Sequence, residues 1–378
     1  MIYKVKVMNY QYIHNPLGMA GLYVSYGHVG AVSEKAGKYG TSHIMEHMIC
    51  KNTDDMRDKL QENGIYVNAF TGTDKVVVHA TGLADRMKIF AQEFVDKLLG
   101  PIDAITETQF LNERRTVLNE YGDNFIDPSS VALYNAMRKH FGCYLAIGRE
   151  EDIKAFTFDD YKQSYSEVFN KPDSIIYIGP EDPHLAIPVY PSVTGMPNTY
   201  KYTENSGEAL VPVTENGRTQ FIIFPKEPVD TLHAASAAIA FKMLASGLNS
   251  PLNMEARENR GLTYGVVGFI NSVGTTYIPT ICTSTEVKTK KELLDVMMDV
   301  FGNLEKYLTE ERFNTVKGMV MAKKQKHSIL LYDNPDSPIK QALGFIDEDK
   351  GVESLTFDMA MRAAKKYFSP DALGVYVD

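Results

Sequence analysis

The sequence predicts a protein of mixed helices and strands, built as two similar halves. The first observation is an internal repeat. Phe156-Thr-Phe-Asp159 recurs as Leu355-Thr-Phe-Asp358, and Ile105-Thr-Glu-Thr-Gln-Phe110 recurs as Leu308-Thr-Glu-Glu-Arg-Phe313. The second is that each Thr-Phe-Asp copy leads into a helical pattern and then a strand, over 165–178 and again over 364–377. Tyr177 and Tyr376 fall at one offset, 199 (376 − 177). The third is a proline-punctuated stretch between the halves, with Pro180, Pro183, Pro188, Pro191 and Pro197. It reads as an extended linker ending near Glu208. The expected organisation is a first domain over 1–180, a linker over 181–208 and a homologous second domain over 209–378.

Along the chain, Met1 to Val7 alternates like a strand and lacks the apolar core of a signal peptide. The segment around His43 to His47 is placed on a helix. Asn68 to Thr71 and Lys75 to Ala80 read as strands, and Thr106 to Glu120 as a helix. In the second half, Gln220 to Phe224 alternates as a strand. Leu232 to Ala245, rich in Ala, Leu and Met, reads as a buried helix. Arg260 is placed at a helix end capped by Gly261.

The chemistry is concentrated in His43-Ile-Met-Glu46-His47, an H-x-x-E-H pattern. On a helix, residues four apart share a face, so His43 and His47 can offer two imidazole nitrogens to one metal ion. Glu46 lies near the same face, within reach of a metal-bound water. Two ligands and a base are what zinc-assisted peptide hydrolysis requires. Two histidines one turn apart also occur without any metal, so a third ligand is needed. Glu113 and Glu120, seven apart on the helical run, share a face two turns apart. One carboxylate could complete the metal triad while the other orients a histidine. The plainer alternative is a solvated charged face.

These residues resemble the pitrilysin/insulinase (M16) zinc metallopeptidases, in the short two-domain form of the mitochondrial processing peptidase subunits. Gly40-Thr-Ser-His43-Ile-Met-Glu46-His47-Met48 is similar to the family's G-x-x-H-x-x-E-H-M segment, and Lys51-Asn52-Thr53 to its K-G-T. Glu62-Asn63-Gly64 with Asn68-Ala69-Phe70-Thr71 resembles its E-x-x-G and N-A-x-T strand. Glu120 with Asp123 and Pro128 resembles its E-x-x-D-x-P stretch, and Gly148-Arg149-Glu150 its glycine before a helix. The resemblance implies an α+β fold of two homologous αβ domains. Each would be a mostly antiparallel sheet packed by helices, the chain forming half of a clamshell chamber. It implies one Zn2+ held by His43, His47 and Glu120, with Glu46 as general base and Glu113 behind the ligands. Asn68, Ala69, Phe70 and Thr71 would form the edge on which a peptide substrate adds as an extra strand, a mode that works through main-chain hydrogen bonds.

One spacing departs from the family. His47 and Glu120 are 73 positions apart (120 − 47), slightly fewer than is usual there. A shortened loop keeps Glu120 as ligand; a helix shifted by two turns would substitute Glu113. The Asp-Pro pattern after Glu120 favours the first. In the second half, Arg257-Glu-Asn-Arg-Gly-Leu-Thr-Tyr264 resembles the family's R-x-x-x-G-L-x-Y. The resemblance makes Arg257 and Tyr264 contacts of the substrate near the scissile bond, where Tyr could donate to a developing oxyanion. The alternative is a helix-end Arg and a Tyr packed in its sheet. At the offset of 203 set by Phe110 and Phe313, Glu113 corresponds to Val316 and Glu120 to Lys323, so the second half is expected to be metal-free.

Composition bounds the rest. The chain has 378 residues, 44% of them hydrophobic and 23% charged, which suits two domains. No run of 18 apolar residues occurs, so no membrane span is expected. Cys50, Cys143 and Cys282 are scattered and odd in number, the usage of a reducing, cytoplasmic setting. Cys50 reads as a small core residue where the family carries an aromatic. His79 reads as a packed strand histidine. A net charge of −9 with no basic cluster disfavours nucleic acid.

The reading is a zinc endopeptidase acting on peptides or unfolded segments inside a chamber. The resemblance implies that such a short chain pairs, as a homodimer or a heterodimer with a paralogous subunit, and Arg257 and Tyr264 could then serve the partner. The alternative is a catalytically weak or inactive peptide-binding or structural subunit of the same fold. A metal-dependent phosphohydrolase would need more Asp ligands and a cationic phosphate grip, and neither is evident.

Overall fold

The computed structural model describes residues 9–27, 29–101, 105–142, 145–169, 171–188, 202–204, 207, 210–212, 217–273, 276–329 and 350–378. The strand expected over Met1 to Val7, Cys143, and the linker stretch 189–201 lie outside the described residues. The fold is α+β and resolves into two units, each with its own sheet and core.

The first unit is built on β1 (Asn9–His14), β2 (Met19–Gly27), β3 (Tyr66–Thr71), β4 (Lys75–Leu83) and β5 (Ser174–Gly179), in the order β1-β5-β2-β4-β3. Among the described residues, β1 and β5 pair in parallel and the other pairs are antiparallel. Helices α1 (Thr41–Lys51) and α3 (Ala84–Leu98) pack on this sheet, and α2 (Asp54–Glu62) packs on β3. The core joins Leu22, Val24, Val76 and Val78 of the strands to Ile44, Met48, Phe94 and Val95 of the helices. This order leaves β3 at one edge, with Tyr66 and Phe70 exposed.

The second unit repeats the plan with β6 (Arg218–Pro225), β7 (Val229–Asp230), β8 (Val267–Val273), β9 (Thr276–Glu286) and β10 (Leu373–Val377). The order is β10-β6-β9-β7, with β8 paired to β9, and all pairs are antiparallel. The helix expected from Leu232 begins at Ala234. Leu232 itself is 85% exposed, in the turn before the helix. Alanines along Ala234–Ala245 keep that helix slim, so Tyr277 of β9 reaches its first turn and donates a buried hydrogen bond to the Ala234 carbonyl, 2.6 Å.

The repeated Thr-Phe-Asp has a local cause. Thr157 caps Phe158–Ser164 by accepting from the Asp160 N–H, and Thr356 caps Phe357–Phe368 by accepting from the Met359 N–H. A strand follows each helix, and Tyr177 and Tyr376 are buried within β5 and β10.

Packing divides the chain differently from a single cut near 180. The first unit takes in the described residues of Met1–Gly122 and Tyr144–Asn198; the second takes in those of Asp123–Cys143, Thr199–Ile329 and Phe345–Asp378. The cause is the helix Pro128–Phe141, here α5 because α4 spans Glu107–Asn124. It covers the second sheet: Ser129 Oγ donates to Gln220 Oε1 at 3.1 Å, and the Phe141 ring lies 5.2 Å from Phe224. Asn135 exchanges two hydrogen bonds with the Val211 backbone, 2.8 and 2.9 Å. Among the described residues, no helix is long and apolar enough to cross a membrane.

Candidate metal centre

Helix α1 is amphipathic at the point that matters. Ile44, Met45, Met48 and Ile49 are fully buried in the first core, each worth roughly 1.5–3 kcal/mol of burial. That anchoring turns His43, Glu46 and His47 toward α4. Helix α4 answers with one stripe, Phe110, Glu113, Val117 and Glu120, at i, i+3, i+7 and i+10. Phe110 and Val117 are fully buried and fix the stripe against the core, so the two glutamates between and beyond them face α1.

Glu120 Oε2 lies 3.5 Å from His43 Nε2 and 3.5 Å from His47 Nε2. One atom from each of these three residues lies within 4.8 Å of the others, and they are the one such group among the described residues. Bonds of about 2.0–2.2 Å to a tetrahedral zinc would set donors about 3.4 Å apart, so the set is close to the spacing that ion requires. The protonation states fit as well. Burial, with His47 beside it, lowers His43 to about 4, so the imidazole is neutral at neutral pH. Its Nδ1 is buried without a hydrogen bond, which leaves Nε2 as the useful atom. Glu113 Oε2 lies 3.4 Å from His47 Nδ1, so a proton there is directed at Glu113 and Nε2 is left free.

The structure therefore brings Glu120 to both imidazoles and puts Glu113 behind one of them. Lys51 was not singled out for a role by the sequence; it bridges Glu113 Oε1 at 3.0 Å and Asp54 at 2.8 Å. The Thr71 hydroxyl donates to Glu46 Oε2 at 2.5 Å, a link between Glu46 and the edge strand that spacing alone does not reveal. Burial raises the Glu46 carboxyl above its ordinary value, against the Thr71 hydrogen bond and the nearby His47, which lower it. Burial pushes the Cys50 thiol up to about 12, and Cys50 does not join the His43, His47 and Glu120 group.

Asn68, Ala69, Phe70 and Thr71 all lie on the edge strand β3. Beside it, a cavity of about 640 Å³ is lined by Glu46, His47, Cys50, Leu60, Ile65 and Asn68 among others. His79 is paired in register with Asn68 and stacks on Tyr23, ring centroids 5.3 Å apart. Arg257 and Tyr264 belong to the second unit. The Arg257 guanidinium lies 5.4 Å from the Tyr264 ring. Tyr264 sits in the loop before β8, 88% exposed, so it is not packed in the sheet. Gly261 beyond Arg260 is left-handed, φ 62°, as a helix cap requires.

A helix carrying H-x-x-E-H against a helix carrying two glutamates, on the first of two αβ units, is the plan of an inverted-motif peptidase fold. The chain belongs to the insulinase family of peptidases, M16. The family description "Insulinase (Peptidase family M16)" matches residues 13–141, and "Peptidase M16 inactive domain" matches 162–320. A search of curated proteins finds no match. Among solved structures, a protease from Helicobacter pylori superposes with a TM-score of 0.77 at 16% identity, covering 97% of this chain and 96% of that one. The peptidase M16 inactive domain from Pseudomonas fluorescens gives 0.71 at 16% identity, covering 97% and 94%. A chain of complex III2 from Candida albicans gives 0.75 at 13% identity, covering 99% and 95%. At these identities the likeness is one of fold.

Proposed function

We propose that this chain is a zinc-dependent endopeptidase that hydrolyses peptides or unfolded segments. The observation that carries the reading is the convergence of His43, His47 and Glu120, with Glu46 beside them and Glu113 behind His47. Zinc bound there would supply an acidified water and a Lewis acid for the scissile carbonyl. Glu46 serves as general base and then as proton donor to the leaving amine. Its burial makes it a stronger base than an exposed glutamate, and Thr71 holds the carboxylate in place. The substrate backbone adds along the outer side of the edge strand β3, and a side chain next to the scissile bond enters the cavity lined by Leu60 and Ile65. Arg257 and Tyr264, paired on the second unit, serve as substrate contacts.

The chain acts as one member of a dimer, with a second copy or a paralogous subunit, in a reducing, cytoplasmic setting suited to its unpaired Cys50 and Cys282. The test is zinc content together with hydrolysis of a quenched peptide library, wild type against Glu46→Gln. The substituted protein keeps zinc and loses turnover by about 10²-fold or more. Normal cleavage by Glu46→Gln removes Glu46 as the base. A wild type that binds zinc and peptide but cleaves nothing leaves the inactive, peptide-binding alternative.

A further inference from the structure

The first turn of α1 is held from outside the helix. The helix opens at Gly40, left-handed at φ 98°, which has no side chain to cap the turn, and no acidic residue lies in that turn. Glu34, in the preceding loop, takes that role. Its Oε2 accepts the Gly40 N–H at 2.7 Å and its Oε1 accepts the Ser42 N–H at 2.7 Å. Asp152 accepts the Tyr39 N–H at 3.0 Å from the other side. Ser42 Oγ accepts the Gly30 N–H at 2.8 Å. Gly148 presses against the same segment so closely that a Cβ on it would lie 2.3 Å from Gly40 Cα. His43 is the next residue after this clamp.

We propose that Glu34 is a positioning residue, whose carboxylate fixes the first turn of α1 so that His43, Glu46 and His47 meet Glu120 and Thr71 in register. The chemistry of the contact selects a carboxylate. Two N–H donors face two oxygens, and an ionised carboxylate only accepts. A glutamine would set its NH2 against one of those donors. The negative charge also sits at the positive end of the helix dipole. Holding the charge there is costly: burial pushes the Glu34 carboxyl up to about 7, against the two N–H bonds that lower it. A loop glutamate with no other task would be cheaper left in water.

The inference rests on the zinc peptidase reading, and the experiment separates the two. Wild type, Glu34→Gln and Val300→Ala are compared. Val300 is fully buried in the second core, so its truncation lowers stability without touching α1. Three quantities are measured: the thermal midpoint, zinc affinity by chelator competition, and kcat and KM on a quenched peptide. Glu34→Gln should weaken zinc by about 10-fold or more, as the loss of a ligand-orienting contact does, and lower kcat similarly while KM stays within about twofold. Val300→Ala should lower the midpoint and leave zinc affinity and kcat nearly unchanged. Losses in Glu34→Gln no larger than those in Val300→Ala overturn the proposal. If Glu34→Gln does not fold, Glu34→Asp decides. It keeps the charge but draws it back by one methylene, and wild-type zinc affinity in it, or its own failure to fold, overturns the proposal. A wild type with neither zinc nor turnover sinks the peptidase reading and this one together; an active wild type with an unchanged Glu34→Gln sinks only this one.

Discussion

Glu113 and Glu120, two turns apart on α4, serve opposite nitrogens of one imidazole. Glu113 Oε2 lies 3.4 Å from Nδ1 of His47, and Glu120 Oε2 lies 3.5 Å from its Nε2. One carboxylate therefore lies on the side of the ring where the proposed zinc would sit, and the other faces the opposite nitrogen, where it would fix the tautomer. Replacing each by glutamine should separate the roles. Glu120→Gln should abolish stoichiometric zinc. Glu113→Gln should retain it at about 10–100-fold weaker affinity. Dialysis against a graded zinc chelator, with metal content measured on the protein, reads both. The reverse order would make Glu113 the ligand.

Cys50 lines the cavity beside Glu46, and its small side chain leaves that space open. Cys50→Phe should fill it. Peptides with a bulky apolar residue next to the cleaved bond should lose about 10-fold or more in kcat/KM, while those with a small residue are spared. A matched peptide pair gives the ratio directly, and an unchanged ratio would show that no substrate side chain enters there.

Gly148 has a left-handed backbone, φ 74°, and a Cβ on it would sit 2.3 Å from Gly40 Cα. Gly148→Ala combines about 1–2 kcal/mol of backbone strain with a backbone clash of about 1–3 kcal/mol. The unfolding free energy from urea titration should fall by about 2–5 kcal/mol, read as a lower midpoint at constant m-value. A loss under about 1 kcal/mol would mean that the two glycines can part cheaply.

Asp160 closes a capping box with Thr157 and pairs with Lys38 at 2.5 Å. Burial acts to raise its carboxyl, but Lys38 and the Thr157 N–H outweigh that and hold it at about 2. Its folded value is below the ordinary 3.8, so its contribution is present above pH 3.8 and is lost as pH falls toward 2. Asp160→Asn should cost no more than about 1 kcal/mol at neutral pH, because Lys38 is half exposed and water screens the pair. The gap from wild type should close as denaturation is followed down from pH 5 to about pH 2. A gap that stays constant across that range would assign the loss to the cap alone.

Much of the fold and the site is written in local signals. The H-x-x-E-H helix, the Glu113–Glu120 spacing and the Thr-Phe-Asp repeat are short-range patterns, and each has a short-range cause: a shared helix face or a capping hydroxyl. The contacts of Glu34 and Lys51 escape notice in the sequence because their partners are backbone amides and carboxylates that leave no periodic trace. Leu232 looks helical by composition, but Asp230 accepts hydrogen bonds from both the backbone N–H and the ring of His233 and so holds a turn there. The ownership of α5 is hidden for a further reason. An apolar helix face states that it is buried, not which sheet buries it.

That ownership determines how the protein can be taken apart. A fragment starting after the proline-rich stretch would leave Phe224 and the Gln220 amide without the helix that shelters them, and would present an uncovered sticky sheet to its neighbours. A fragment ending there would carry α5 with nothing to lie on. The two repeats are therefore stitched together by a borrowed helix, and severing the chain between them damages both.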